Sequence, residues 1–311
     1  MNRKEPGACA QRSGLAGVAL TLVLPWALGA CVVIPQGPVA QSPPSKAPPL
    51  SSERIAQIVA SPDRSAADRA NDARRKPEEM LAFIGVRPGM NVLDLNTGGG
   101  YTTELLARAV RPSGRVYGQS APLDADPAPL KPVSPESDAV SQTPSAAAAP
   151  GSVPPAAARR GGPPNSPAAL AERSKSAGAG NIVSVVRKFE DPFPPEVASN
   201  KLDLVTLMFN YHDLAFQGVD RARMNRAVYE ALKPGGMYVI ADHSGRPGTG
   251  MSEAGTLHRI EQTFVRSEVE AAGFRFVAEG NFLRNPNDPR DKNTPEPPQP
   301  KDEFVMKFVK P

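Results

Sequence analysis

The chain has 311 residues, 36 of them proline, with 40% hydrophobic residues and a formal net charge of +4. That length accommodates one sizeable core, although the clustered prolines confine the globular part to fewer residues than the total. The lysines and arginines are scattered and form no basic run interleaved with aromatics, which argues against a nucleic-acid groove.

The first residues read as a leader. Arg3, Lys4 and Arg12 precede an apolar stretch from Leu15 to Ala30, broken by Pro25 and ending in Leu28-Gly29-Ala30-Cys31. A charged start, a short apolar centre and a small-residue exit describe a secretory signal over residues 1–30. The stretch falls short of the ~20 apolar residues of a spanning helix. Leu-Gly-Ala-Cys resembles the bacterial lipoprotein signal. That resemblance implies export, a lipid anchor on Cys31 and, with Val32 rather than Asp next, the periplasmic side of the outer membrane. An ordinary secretory signal cut elsewhere is the alternative. Cys9 would leave with the leader, so the mature chain has no thiol left for a disulfide or a nucleophile.

Residues 31–50 are rich in Pro, Ser and Ala, the composition of a tether. The domain is expected over 51–311, interrupted at about 121–168 by a Pro/Ala-rich insertion too poor in large apolar residues to fold. Helices are predicted over Arg54–Val59 and Ala66–Gly85, the second broken by Pro77. Asn91–Leu95 reads as a buried strand, Thr102–Val110 as a helix and Arg115–Gln119 as a strand. Beyond the insertion, Ala168–Ala177 is helical, and Ile182–Val186 and Leu202–Met208 are strands. Arg221–Leu232 is a helix, Gly236–Ala241 a strand and Thr263–Ala272 a helix. Phe274–Leu283 and Glu303–Val309 close the series as two strands with no helix between them. Apolar runs alternating with amphipathic helices give an α/β, doubly wound, mostly parallel sheet.

The first strand ends in Asp94 and runs into Asn96-Thr97-Gly98-Gly99-Gly100 before a helix. Such a turn bends sharply and lets a ligand approach the backbone, which glycine permits because it has no Cβ. The helix N-terminus behind it offers N–H groups to a carboxylate or other anion. The spacing does not fit the dinucleotide pattern G-x-G-x-x-G. It reads Asp94-x-Asn96-x-Gly98-x-Gly100, which resembles the first motif of class I S-adenosylmethionine-dependent methyltransferases, D/E-x-G-x-G-x-G. Three more segments carry the resemblance: Leu202-Asp203-Leu204-Val205-Thr206, Leu232-Lys233-Pro234-Gly235-Gly236 and Val269-Glu270-Ala271-Ala272-Gly273-Phe274. Asn210-Tyr211-His212-Asp213 and Asp242-His243 also resemble a group of exported bacterial methyltransferase-like proteins. The resemblance implies a seven-stranded Rossmann-like methyltransferase sheet of order 3-2-1-4-5-7-6 with the last strand antiparallel. It also implies S-adenosylmethionine as cofactor and methyl transfer to an acceptor the sequence does not name. A catalytically inactive relative that binds a nucleoside-like ligand, or a structural envelope protein, is the alternative.

On that resemblance Asp94, Asn96, Gly98 and Gly100 surround the cofactor's amino acid portion, with Asn210 beside them. Gln119 or Ser120 stands where the family holds the ribose with a carboxylate, and Glu190 and Asp191 stand near the adenine. Arg75 and Lys76 could bring a cation to the cofactor carboxylate. The three histidines, His212, His243 and His258, follow strands four and five. His212 or His243 is the expected base, with Asp213 and Asp242 as orienting carboxylates. No metal is assigned, because the histidines lack a helical H-x-x-x-H spacing. A metal site with Asp213 or Asp242, or histidines that merely cap strands, remain open. A monomer is expected.

Overall fold

A computed structural model describes residues 47–122, 167–176 and 178–311. The leader, Cys31, the tether to residue 46 and the insertion from 123 to 166 lie outside the described residues. Three helices open the described chain. Ser52–Val59 (α1) and Ala66–Arg75 (α2) are capped by the hydroxyls of Ser51 and Ser65, which accept from the Arg54 and Asp68 amides. Pro77 starts Pro77–Ile84 (α3). It interrupts the run as expected, because proline lacks an N–H and disfavours helical geometry in the residue before it. Lys76, between the two helices, is left-handed, with φ +44°.

The remaining elements alternate. Asn91–Leu95 (β1), Tyr101–Ala109 (α4) and Arg115–Ser120 (β2) precede the insertion. Pro167–Arg173 (α5), Ile182–Val186 (β3), Leu202–Met208 (β4), Tyr211–Phe216 (α6) and Arg221–Ala231 (α7) follow it. Leu232–His243 (β5), Gln262–Ala271 (α8), Arg275–Gly280 (β6) and Glu303–Val309 (β7) complete the domain. The seven strands form one sheet of order β3-β2-β1-β4-β5-β7-β6. β7 runs antiparallel to both its neighbours and the other pairs are parallel. This is the doubly wound, Rossmann-like sheet of methyltransferase type that the motif order implies.

Strand side chains alternate between two apolar layers. Leu93, Leu95, Val205, Leu207, Tyr238 and Ile240 face Leu214, Val228 and Val265 of the α6–α8 layer. Val92, Leu204 and Val239 face Ile55, Leu81, Ile84 and Leu106 of the α1, α3 and α4 layer. Several element ends shift by a few residues, and three differences stand out. β5 begins at Leu232, not Gly236, because Leu232 already pairs with Leu202 across an irregular register. β6 ends at Gly280, short of Leu283. A Cβ at Gly280 would meet the Phe282 ring at 2.6 Å, so the chain must turn there. The six-residue α6 is a helix the apolar periodicity does not announce, since it is too short to show one.

Candidate functional site at the carboxyl edge of the sheet

In a sheet of this winding, ligands sit beyond the carboxyl ends of the strands, where the strand order reverses. β1 and β4 flank that point. The turn after β1 has three left-handed residues, Asn96, Gly98 and Gly100, with φ of +51°, +52° and +81°. Asparagine tolerates this region better than other residues with a Cβ. Gly100 caps α4 without any side-chain hydrogen bond, so the helix presents its N-terminal amides beside the turn. Asn210, at the end of β4, donates from Nδ2 to the Asn96 carbonyl at 3.2 Å and to the Met208 carbonyl at 2.9 Å. The turn and the β4 end are thereby fastened together.

Asp94 has a supporting place behind the turn. It is 2% exposed, and its two oxygens accept from the Thr103 and Thr206 hydroxyls, each at 2.7 Å. Burial pushes its pKa up to about 6, against the two threonine bonds, which pull it down. Gln119 is likewise turned inward. Its amide oxygen accepts from the Asn96 amide at 3.0 Å and its Nε2 donates to the Arg187 carbonyl at 2.7 Å. With no exposed surface, Gln119 shapes the glycine turn instead of presenting a polar group to a ribose. Ser120 lies 3.4 Å from the Thr97 hydroxyl. Glu190 accepts from the Asp220 amide at 3.3 Å, and Asp191 pairs with Arg187. Asp191 thus has a partner within the turn after β3, and Glu190 reaches the N-cap of α7.

The glycine turn is closed from outside by groups that sequence reading does not reach. Leu170 of α5 is fully buried, and a Cβ at Gly118 or Gly100 would come within 2.5 or 2.9 Å of it. Arg173 donates to the Gly99 carbonyl at 2.8 Å and pairs with Asp68 and Glu104, each at 2.5 Å. Tyr101 donates to Asp72 at 2.6 Å, and Arg64 pairs with that same carboxylate at 2.7 Å. Helices α2, α4 and α5 are thus bound together around the turn. Arg173 follows an insertion and lies 74 positions from Gly99, so no local pattern marks it. Arg75 stacks on the Phe209 ring with its guanidinium carbon 3.9 Å from the centroid. Lys76 reaches the Phe282 carbonyl instead.

The histidines converge as expected, around Asp242 at the end of β5. Asp242 is wholly buried and accepts three hydrogen bonds: His212 N at 2.8 Å, His212 Nδ1 at 2.6 Å and His243 N at 2.7 Å. The His212 Nε2 lies 3.3 Å from Asp213 Oδ1, and His258 Nδ1 lies 3.5 Å from the same oxygen. The ring centroids of His212 are 5.4 Å from those of His243 and 5.5 Å from those of His258. Burial disfavours a charge on His212, but Asp242 and Asp213 outweigh it and push its pKa up to about 10. Burial would raise the Asp213 pKa, but the neighbouring imidazoles of His212 and His258 outweigh it and hold the carboxyl below its usual range. His243 goes the other way. Burial, then the Lys301 and His212 cations, hold its pKa well below 6.5. Its Nδ1 is 2.9 Å from Glu303 but off the hydrogen-bonding direction. Of the two expected bases, His243 is the one that is neutral near pH 7, and His212 is a hydrogen-bond donor.

A cavity of about 390 Å³ opens beside Glu303, lined among others by Arg74, Lys76, Arg284 and Lys301. Burial, then Arg259, lowers the Lys301 pKa to about 8. The polar Asn285–Asp291 loop borders this region but is built around structure. Its Asp288 makes a sealed ion pair with Arg259 at 2.8 Å.

No protein-family model matches the chain, and no curated protein does. Solved structures resemble it in fold. A S-adenosylmethionine-dependent methyltransferase from Aquifex aeolicus is 16% identical, over 84% of this chain and 98% of that one, with a TM-score of 0.47. A S-adenosylmethionine-dependent methyltransferase from Mesorhizobium loti is 15% identical over 76% and 99%, with a TM-score of 0.44. A "possible exported protein" from Bordetella parapertussis is 16% identical over 85% and 80%, with a TM-score of 0.41.

Proposed function

We propose that the chain is a S-adenosylmethionine-dependent methyltransferase, with His243 taking the acceptor's proton. The observation that carries this reading is the junction of the Asn96–Gly100 turn with Asn210, one hydrogen bond long, beside the histidines that end β4 and β5. Asn96, Gly98, Gly100, the α4 amides and Asn210 would hold the cofactor's amino acid end. Ser120 and Thr97 would offer only neutral hydroxyls at the ribose, where each bond is roughly half as strong as one to a charge. When bound, the cofactor supplies a methyl group on a sulfonium, transferred in line to an acceptor heteroatom while sulfur keeps the electron pair. The protein's own part is to position the acceptor, exclude water and receive the proton at His243. The cationic cavity beside Glu303 would suit an acidic acceptor.

The same reading carries the envelope expectation: a monomer, anchored through Cys31 on the periplasmic side of the outer membrane. Metabolic labelling with palmitate should mark the chain and fail in Cys31→Ala. Calorimetry of the full chain with S-adenosylmethionine and S-adenosylhomocysteine tests the cofactor. Saturable heat at micromolar ligand is expected. No heat at high micromolar concentration would overturn the enzyme and leave the binding or structural alternatives.

A further inference from the structure

We propose that His212 Nε2, Asp213 Oδ1 and His258 Nδ1 form a binding site for one divalent transition-metal ion. The inference goes beyond methyl transfer and does not depend on it. Ligand atoms of these three residues lie within 4.8 Å of one another. Two histidines and one carboxylate make up a three-ligand donor set that leaves a fourth, open position in a tetrahedral site.

Three features favour an ion over a plain polar cluster. The first is spacing. Asp213 Oδ1 stands 3.3 Å from His212 Nε2 and 3.5 Å from His258 Nδ1. Charge-assisted hydrogen bonds are ~2.7–2.9 Å, so both gaps are too wide. Two ligands each about 2.1 Å from one metal at a tetrahedral angle stand about 3.4 Å apart, which matches both.

The second is orientation. His212 gives its Nδ1 to the buried Asp242 at 2.6 Å, and Asp242 also holds the His212 backbone amide. A ligand histidine characteristically gives its second ring nitrogen to a carboxylate, which fixes the tautomer and aims the free nitrogen. Here that nitrogen is aimed at Asp213 and His258.

The third is satisfaction. The His258 Nε2 is buried and has no hydrogen-bond partner among the described residues. The ring's polar contact is therefore made by Nδ1, which faces Asp213. Asp242 and Asp213 bring two carboxylates to the cluster. A bound cation would take the place of the proton on His212 Nε2, which leaves to solvent.

Zinc and cobalt titrations of the metal-stripped full chain test this without any nucleotide, so failure of the methyltransferase reading leaves the result intact. One equivalent of zinc should bind, and cobalt should give visible absorption bands of a low-coordinate nitrogen–oxygen site. His258→Ala and Asp213→Asn should each weaken zinc at least tenfold. Asp242→Asn should weaken it ~10–100-fold through the mis-aimed His212. His243→Gln should leave it within about twofold. Asp213 is 31% exposed, so its variant serves even if another fails to fold. No saturable binding below about 1 mM, or equal loss in His243→Gln, would overturn the site.

Discussion

Replacing Asp94 with asparagine should remove a contribution to stability that varies with pH in the opposite sense from an ordinary carboxylate. Asp94 ends β1 almost without solvent contact, and its pKa rises from 3.8 to about 6. A folded-state pKa above the unfolded one means that the native chain binds the proton more tightly. The contribution is therefore most favourable below the unfolded pKa of about 4 and is lost as pH rises through about 6. A shift of that size corresponds to about 3 kcal/mol of penalty for burying the charge at neutral pH. Asparagine keeps the shape and can still bond both threonines, because a hydroxyl can accept as well as donate. It carries no charge to bury. The stability of Asp94→Asn minus that of the parent should rise by roughly 2–3 kcal/mol between pH 4 and pH 7. Urea unfolding followed by circular dichroism at each pH gives the difference, in which the other titrating groups largely cancel. A flat difference, or one that falls with pH, would show that Asp94 is not a buried charge under strain.

Three further outcomes are expected. Gly118→Ala would drive a Cβ to 2.5 Å from Leu170. It should therefore cost about 1–3 kcal/mol of overpacking, while Leu170→Ala costs ~2–5 kcal/mol. The double variant should fall short of the sum by more than 0.5 kcal/mol in denaturant melts, and additivity would mean that the two do not meet. Gln119→Glu should destabilise by roughly 1–3 kcal/mol rather than tighten a ribose contact, since it trades a donor to the Arg187 carbonyl for a repelling oxygen. Calorimetry showing tighter S-adenosylhomocysteine binding would contradict that orientation. His243→Gln should lower methyl transfer about 10²–10⁴-fold with S-adenosylhomocysteine affinity unchanged. Loss of affinity in step with rate would make His243 a binding group instead.

The strands could be read because their information is local, while the order of the sheet came from the family resemblance their motifs carry. Val92 to Leu95 and Leu202 to Met208 are short, mostly apolar runs broken only by Asp94, Asp203 and Thr206, and Asn96, Gly98 and Gly100 stand where a sharp turn must be. The convergence of His212, His243 and Asp242 also followed, since strand ends four and five are neighbours in such a sheet. What the residues around them do was not readable. Gln119 looks like a ligand contact by position, and only the placement of Asn96 and Arg187 shows that both ends of its amide are taken. His258 reaches Asp213 through a left-handed backbone, φ +49°, in a segment without periodicity. Arg173 and Leu170 act across an insertion. Charge state was equally hidden, because the opposite behaviour of His212 and His243 comes from which neighbours each has, not from residue type.

Asp242 grips a backbone amide on either side of it in space, one in α6 and one in β5, together with the His212 ring. The carboxylate thus touches the ring of His212 but only the backbone of His243. A single substitution at Asp242 should therefore disturb both the α6 side and the β5 strand end, whereas a change confined to the His243 side chain should leave the α6 side alone.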